Sequence, residues 1–387
     1  MHTLLTTAAA LCLAQAALGQ ASIIDLGTFV PNGITPDGQV LIGRLGAHAG
    51  RWTQAHGLQD WGTLPGRNLD YGPFALSDDG ATCVGITLNG PPDQAIRWTL
   101  ADGAQDLGYL DSSGGTPTAD ANDISGDGKV VVGFTNDGGF VWREEEGMHI
   151  LSQSPQFYIW YVNHDGTVML GGTPDGVARW TTQDGVVPLW PGFDYRIIAM
   201  NDSGTMLVVN PPAPFAERWT AQTGFVPMVP SGGQFNFYAV AASSDASIVV
   251  GHAGTVDGTH AWLWQEQGYN ADLNVLLPSL GVDLSAWYSL DSASGVSDDG
   301  KIIVGGGYRA GTFEVHGWIA HLGPSCGTAD YNHDGDTGTD PDIIDFFNCL
   351  AGDCCPTCYT NDFNGDGDAG TDADIEAFFR VLAGQPC

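Results

Sequence analysis

Two stretches near the C-terminus concentrate side chains able to do chemistry. The first runs Asp330, Asn332, Asp334, Gly335, Asp336, then Asp340 and Asp342. The second repeats it as Asp362, Asn364, Asp366, Gly367, Asp368, then Asp372 and Asp374. Oxygen-bearing side chains stand at the first, third and fifth places of each run, and a glycine at the sixth permits a sharp reversal. Calcium is a hard cation that takes roughly six to eight oxygen ligands, so alternating carboxylates and amides around a tight loop suit it. The backbone carbonyl of Asp336, or of Asp368, would add a ligand at the seventh place. Two runs imply two ions. The twelfth place, where a closing bidentate acid belongs, holds Pro341 and Ala373. Acids flank both. We take Asp342 and Asp374 as the closing ligands, in a loop one residue longer, with Asp340 and Asp372 as alternatives.

These runs have the front half of an EF-hand loop, and each must be positioned by the segment on its C-terminal side. Ile343, Phe346, Phe347 and Leu350 recur at helical spacing, as do Ile375, Phe378, Phe379 and Leu382. The spacing predicts two short amphipathic helices packed as a pseudo-symmetric pair. Cys326, Cys349, Cys354, Cys355, Cys358 and Cys387 form an even set around them, which predicts three disulfides with 15 pairings open. Cys355-Pro356-Thr357-Cys358 lacks the βαβ setting of a redox site.

Elsewhere chemistry is sparse. The sequence contains no His-Glu-x-x-His helix, phosphate-cradling loop or Gly-x-Ser-x-Gly elbow. Cys83 occupies a position that is apolar in every sister repeat, and so reads as a buried, inert thiol. Phe29, Tyr71, Phe157, Tyr195 and Phe237 recur in one register and read as packing residues. Trp160, Trp287 and Tyr288 stand outside that register and are the candidates for ligand contact.

A repeat positions them. Gly38, Gly80, Gly128, Gly166, Gly204 and Gly300, with Ala246 in the remaining slot, recur about every 44 residues. A short hydrogen-bonding residue precedes each by three places: Thr35, Ser77, Ser125, Asn163, Asn201, Ser243 and Ser297. An apolar residue precedes each by four. Beyond the turn comes an apolar strand, then a strand ending in Trp, then a fourth strand. Each unit thus reads as a four-stranded antiparallel meander, the blade of a β-propeller. Repeat seven lacks its fourth strand, while Ile23-Ile24-Asp25-Leu26-Gly27 matches the fourth-strand pattern. The expected architecture is therefore all-β, a seven-bladed propeller over 22–323 closed by its N-terminal strand, followed by a small helical module over 324–387. An open β-solenoid would not need that offset.

Composition sets limits. Forty-five acidic residues against twelve basic give a net charge of −33, which argues against nucleic acid or an anionic membrane as partner. The hydrophobic share of 43% suffices for a packed core. No stretch beyond residue 22 is apolar enough to span a bilayer. Residues 1–21 read as a signal peptide, with an Ala- and Leu-rich run before small residues. That places the mature chain outside the cell or on its surface, where disulfides form.

The recurrent Asp-Leu-Gly, the Asn/Ser-x-x-Gly turns and His260-Ala261-Trp262 resemble the extracellular HAF repeat family, which implies no catalytic residues. The duplicated loop–helix unit, with its Gly-Thr-Asp-x-Asp-Ile and Leu-Ala-Gly wording, resembles the dockerin-type C-terminal modules of secreted planctomycete proteins. That likeness implies a cohesin-like protein or a cell-envelope component as the tail's partner. The expected function is non-catalytic, a propeller face that binds a glycan or a protein and a calcium-dependent tail that attaches it. The alternative is a dockerin-tethered carbohydrate-active enzyme, a glycoside hydrolase or polysaccharide lyase, working at the channel mouth.

Overall fold

The computed structural model describes residues 21–387 apart from 68–72, 88–92, 111–113, 115–117, 152–155, 193–195, 231–233, 267–269, 324–328, 333, 335, 337, 356–357, 359–360, 362, 364–368 and 384–387. The expected signal peptide as far as residue 20, Tyr71, Tyr195, Asp362, Asn364, Asp366, Asp368, Cys326 and Cys387 lie outside the described residues. Two compact units divide the chain: one spans Ile23–Pro278 with Asp283–Ala320, and the other includes His321–Cys387.

In the first unit every repeat is a four-stranded antiparallel sheet. Six sheets take their strands consecutively. The seventh joins Trp287–Val296, Ile302–Arg309 and Val315–His321 to the N-terminal Ser22–Asp25. Leu26 N–H donates to the Gly317 carbonyl and Gly317 N–H to the Gly27 carbonyl, both at 2.9 Å. His316 Nδ1 lies 2.8 Å from Asp25 Oδ1 across the same seam. The chain is a seven-bladed β-propeller sealed by its first strand, which hides the last blade's edge. Among the described residues no helix is long and apolar enough to cross a membrane.

The repeat signature is turn chemistry. In blade 2, Ser77 Oγ donates to Asp79 Oδ1 at 2.6 Å and accepts Thr82 N–H at 3.1 Å, while Asp79 accepts Ala81 N–H at 2.9 Å. The same set recurs around Ser125, Ser243 and Ser297. The turn glycine is left-handed, and in every glycine blade but the third, where Gly128 has room, a neighbour in the preceding blade adds a steric reason for it to stay glycine. A Cβ on Gly80 would lie 2.6 Å from Val40 Cβ, and one on Gly38 would lie 2.5 Å from Ile302 Cδ1. Ala246 takes φ +57° in the sixth slot. There the preceding blade offers Met206, whose unbranched chain yields where Val or Ile would not.

Two further motifs join strands and blades. His48 faces Asp60 at 2.9 Å and His260 faces Asp272 at 2.6 Å, each clasping third strand to fourth as His316 does with Asp25. Those aspartates also accept the N–H two residues on, at Gly62, Asn274 and Gly27. The Asp-x-Gly pattern is therefore an Asx turn under a histidine. The Arg-Trp arginines reach the next blade. Arg97 lies 5.4 Å over Trp142, Arg218 lies 5.7 Å over Trp264, and Arg51 Nε donates to the Gly80 carbonyl at 3.1 Å. Between the last two blades an inserted helix, α1 (Leu273–Ser279), buries Leu273 and Leu277.

The second unit holds two helices, α2 (Asp340–Leu350) and α3 (Asp372–Leu382). Phe346 and Phe378 stack face to face at 4.0 Å, capped edge-on by Tyr331 from the first acidic run. Phe347 and Phe379 are 43% and 47% exposed, so the buried stripe is narrower than the four-residue spacing predicts. Each lies on the flank of the stripe centred between its preceding Phe and the Ile of the same helix. Cys349–Cys354 and Cys355–Cys358 are disulfide-bonded, and Cys83 is free and fully buried.

Candidate functional site

Each inner strand of the ring carries a β-bulge, at Asn32, Phe74, Asn122, Trp160, Ile198, Val240 and, in the last blade, Ser294. All seven stand six places before the turn residue. A bulge re-aims the side chain of the unpaired residue, and these seven side chains line the central channel. They border cavities at the end opposite the Asp-Gly turns. One, of about 680 Å³, is lined by Phe74, Asn122, Asp123, Phe134, Trp160, Tyr161, Arg196, Ile198 and Val240 among others. A second, of about 430 Å³, shares Phe74 and Val240 and adds Asn32, Asp291, Ser294 and Tyr308.

Next to the bulge, the following residue points toward the neighbouring blade. It is Gly33, Ala75, Ala199, Ala241 or Gly295 in five blades. In the other two it is a strut: Asp123 accepts Val162 N–H at 2.8 Å, and Tyr161 donates its hydroxyl to the Ile197 carbonyl at 3.0 Å. Burial pushes the Asp123 carboxyl up to about 7, against the pull of the Val162 and Ile124 amides. Burial also raises Asp291, which accepts a hydrogen bond from Ser289.

At the turn end a polar circle links the blades. Asp78 N–H donates to Gly126, Gly126 N–H to His164, and Asp298 N–H to Pro36. His164 Nδ1 sits 2.7 Å from Asp78 across Gly126, and Ser244 donates to Asp298. Burial raises Asp78, as does the nearby Asp298 charge.

Of the three aromatic candidates, Trp160 lines the larger cavity. Tyr288 is 65% exposed, lies 5.4 Å from the Phe313 ring and does not line either cavity. Trp287 is 7% exposed, packed 5.0 Å under Arg309 and edge-on to His316. It therefore packs blade 7 and is not open for a ligand.

In the second unit Asp330, Asp334 and Asp342 bring carboxylate oxygens within 4.8 Å of one another. Asp342 is fully buried, whereas Asp340 is exposed. One Asp342 oxygen accepts Tyr331 N–H at 2.8 Å and the other accepts Thr339 N–H at 2.8 Å. Burial would raise its pKa, but the Thr339, Asn332 and Tyr331 hydrogen bonds outweigh that and lower it. Asn332 Oδ1 accepts Asp334 N–H at 3.1 Å, and Asp336 continues the loop with its N–H on Asp334 at 2.9 Å. Asp374 repeats the Asp342 arrangement, buried and accepting Thr371 N–H at 2.7 Å. This donor set is all oxygen, as a hard divalent cation requires.

No protein-family model matches the chain, and comparison with curated proteins finds no match. Among solved structures it is similar to the β-propeller domain of Cps50 (Swd1) from Myceliophteria thermophila, at TM-score 0.46 and 12% identity over 78% of this chain and 96% of that one. It is similar as well to the RRP9 WD40 repeats (TM-score 0.49, 12% identity, 78% and 98% covered) and to U3-55K (0.48, 12%, 77% and 98%). The blade count rests on this chain's own strand pairing.

Proposed function

We propose that the protein is an exported, non-catalytic binding protein. The propeller holds a ligand at its channel mouth, and the C-terminal unit binds two calcium ions and attaches the chain to a cohesin-like protein or a cell-envelope component. The observation that carries the reading is the ring of seven bulged residues opening into cavities at one end of a rigid barrel of blades. Sites of this kind, in which apolar walls meet convergent polar groups, are what ligands occupy. Asp330, Asn332, Asp334 and Asp342, with the Asp336 carbonyl, would hold one ion, and Asp374 with Asp362, Asn364, Asp366 and Asp368 the other. Bound calcium would supply charge neutralisation that lets these acids crowd at the head of each helix. Two disulfides agree with an oxidising compartment.

Calcium titration of the full chain tests the tail, with an expected affinity of millimolar or tighter; no heat up to about 10 mM would refute it. A second reading, a carbohydrate-active enzyme at the same mouth, is favoured by one observation: Asp123 is a half-buried carboxyl poised near neutrality beside a cavity. Release of reducing ends that Asp123→Asn abolishes would establish it.

A further inference from the structure

We propose that the channel-mouth cavity takes a neutral saccharide whose rings enter against Trp160 and Phe74. The inference rests on the reading that the mouth is the binding face, and adds the class of ligand. The cavity is divided by character. Phe74 and Val240, 39% and 38% exposed, stand with Trp160 and Ile198 on its apolar walls. Asn32, Asn122 and Ser294 supply amides and a hydroxyl from the same ring of bulges.

A pyranose has that same division, a C–H face that lies on an aromatic ring and a rim of hydroxyls that seeks amides and carboxyls. Other ligands fit worse. A wholly apolar ligand would strip water from the Asn122 amide and the Ser294 hydroxyl, whose bonds to the Ile159 and Pro31 carbonyls leave their acceptor oxygens for a ligand hydroxyl. An anionic one meets a chain of net charge −33 and, among the described lining residues of the larger cavity, the single cation Arg196. A cationic one needs an ionised acid, and both carboxyls that line the two cavities, Asp123 and Asp291, are held toward their neutral forms by burial, Asp123 also accepting two backbone N–H groups. The volumes of about 680 and 430 Å³ suit a short oligosaccharide end.

The test is calorimetric titration of the full chain with short neutral oligosaccharides of the gluco-, manno- and xylo-series. Uronate oligosaccharides and short peptides run in parallel, and Phe74→Ala and Trp160→Ala are compared with the parent. Saturable binding of a neutral series is expected, weakened about tenfold or more by each substitution, with uronates silent. Phe74 is partly exposed, so its variant should keep the parent's melting temperature even if Trp160→Ala does not. Peptide binding alone, lost in Phe74→Ala, would overturn the saccharide assignment and leave the mouth as the binding face. Saccharide binding that both folded variants leave unchanged would overturn both. No binding by any probe would overturn the saccharide assignment.

Discussion

Single residues decide more here than their types suggest. The turn glycines other than Gly128 face a β-branched residue of the preceding blade, so Gly80→Ala should destabilise by about 1–3 kcal/mol through the clash with Val40 and a strained φ. Ala246 already carries that strain against a pliant Met206. Ala246→Gly should therefore stabilise by about 0.5–1 kcal/mol, read as a higher midpoint in urea unfolding. At the acidic run, Asp342→Ala should abolish measurable calcium binding in the first loop while Asp340→Ala changes affinity only a few-fold; the reverse order by calorimetry would move the closing ligand to Asp340. Asp123 predicts a pH effect. Its folded pKa of about 7 lies above the ordinary 3.8, so the folded state holds the proton more tightly, and stability falls as pH rises through that window. Asp123→Asn should remove that loss, gaining on the parent by at most about 1.4 kcal/mol per pH unit between about 4 and 7. Equal urea midpoints for the two chains at both ends of that window would contradict it. At this scale the sequence was only partly legible. The turn signature shows because one chemistry repeats in all blades. The bulge position does not, because Asn, Phe, Trp, Ile, Val and Ser share only a direction, and direction is backbone geometry. Trp160 thus stood out as a misfit among the packing aromatics, although it occupies a register of its own.

At the scale of elements, strand count and order followed from spacing, since seven copies of one meander leave few alternatives once the last is a strand short. The clasp between Ser22–Asp25 and Val315–His321 was likewise visible as an unpaired fourth-strand motif at the amino end. Deleting residues 22–26 exposes the last blade's edge and removes the Asp25–His316 contact. The melting temperature should fall by several degrees and aggregation should rise; an unchanged melt would show that the seam contributes nothing to stability. The helix pair was legible from its period, but the exposure of Phe347 and Phe379 was not. Four apolar residues per helix exceed what two short helices packed on each other can cover, and the aromatics at the second place of the loops, Tyr331 and Phe363, fill the space instead.

For the molecule as a whole, a closed ring gives the seven bulged side chains fixed positions around one axis, so a ligand would meet a preorganised mouth. Blade asymmetry sets its character, with apolar walls at blades 2, 4, 5 and 6 and polar ones at 1, 3 and 7. Val240 projects into both cavities, is partly exposed and has an apolar side chain with no hydrogen bonds to lose, so Val240→Trp should plug the mouth while sparing the ring. Parallel calorimetric titration of a neutral oligosaccharide into the parent and Val240→Trp is the most direct measurement. Saturable heat in the parent and none in a variant that still melts within a few degrees of it is the expected result. Equal binding by both chains would place the site elsewhere.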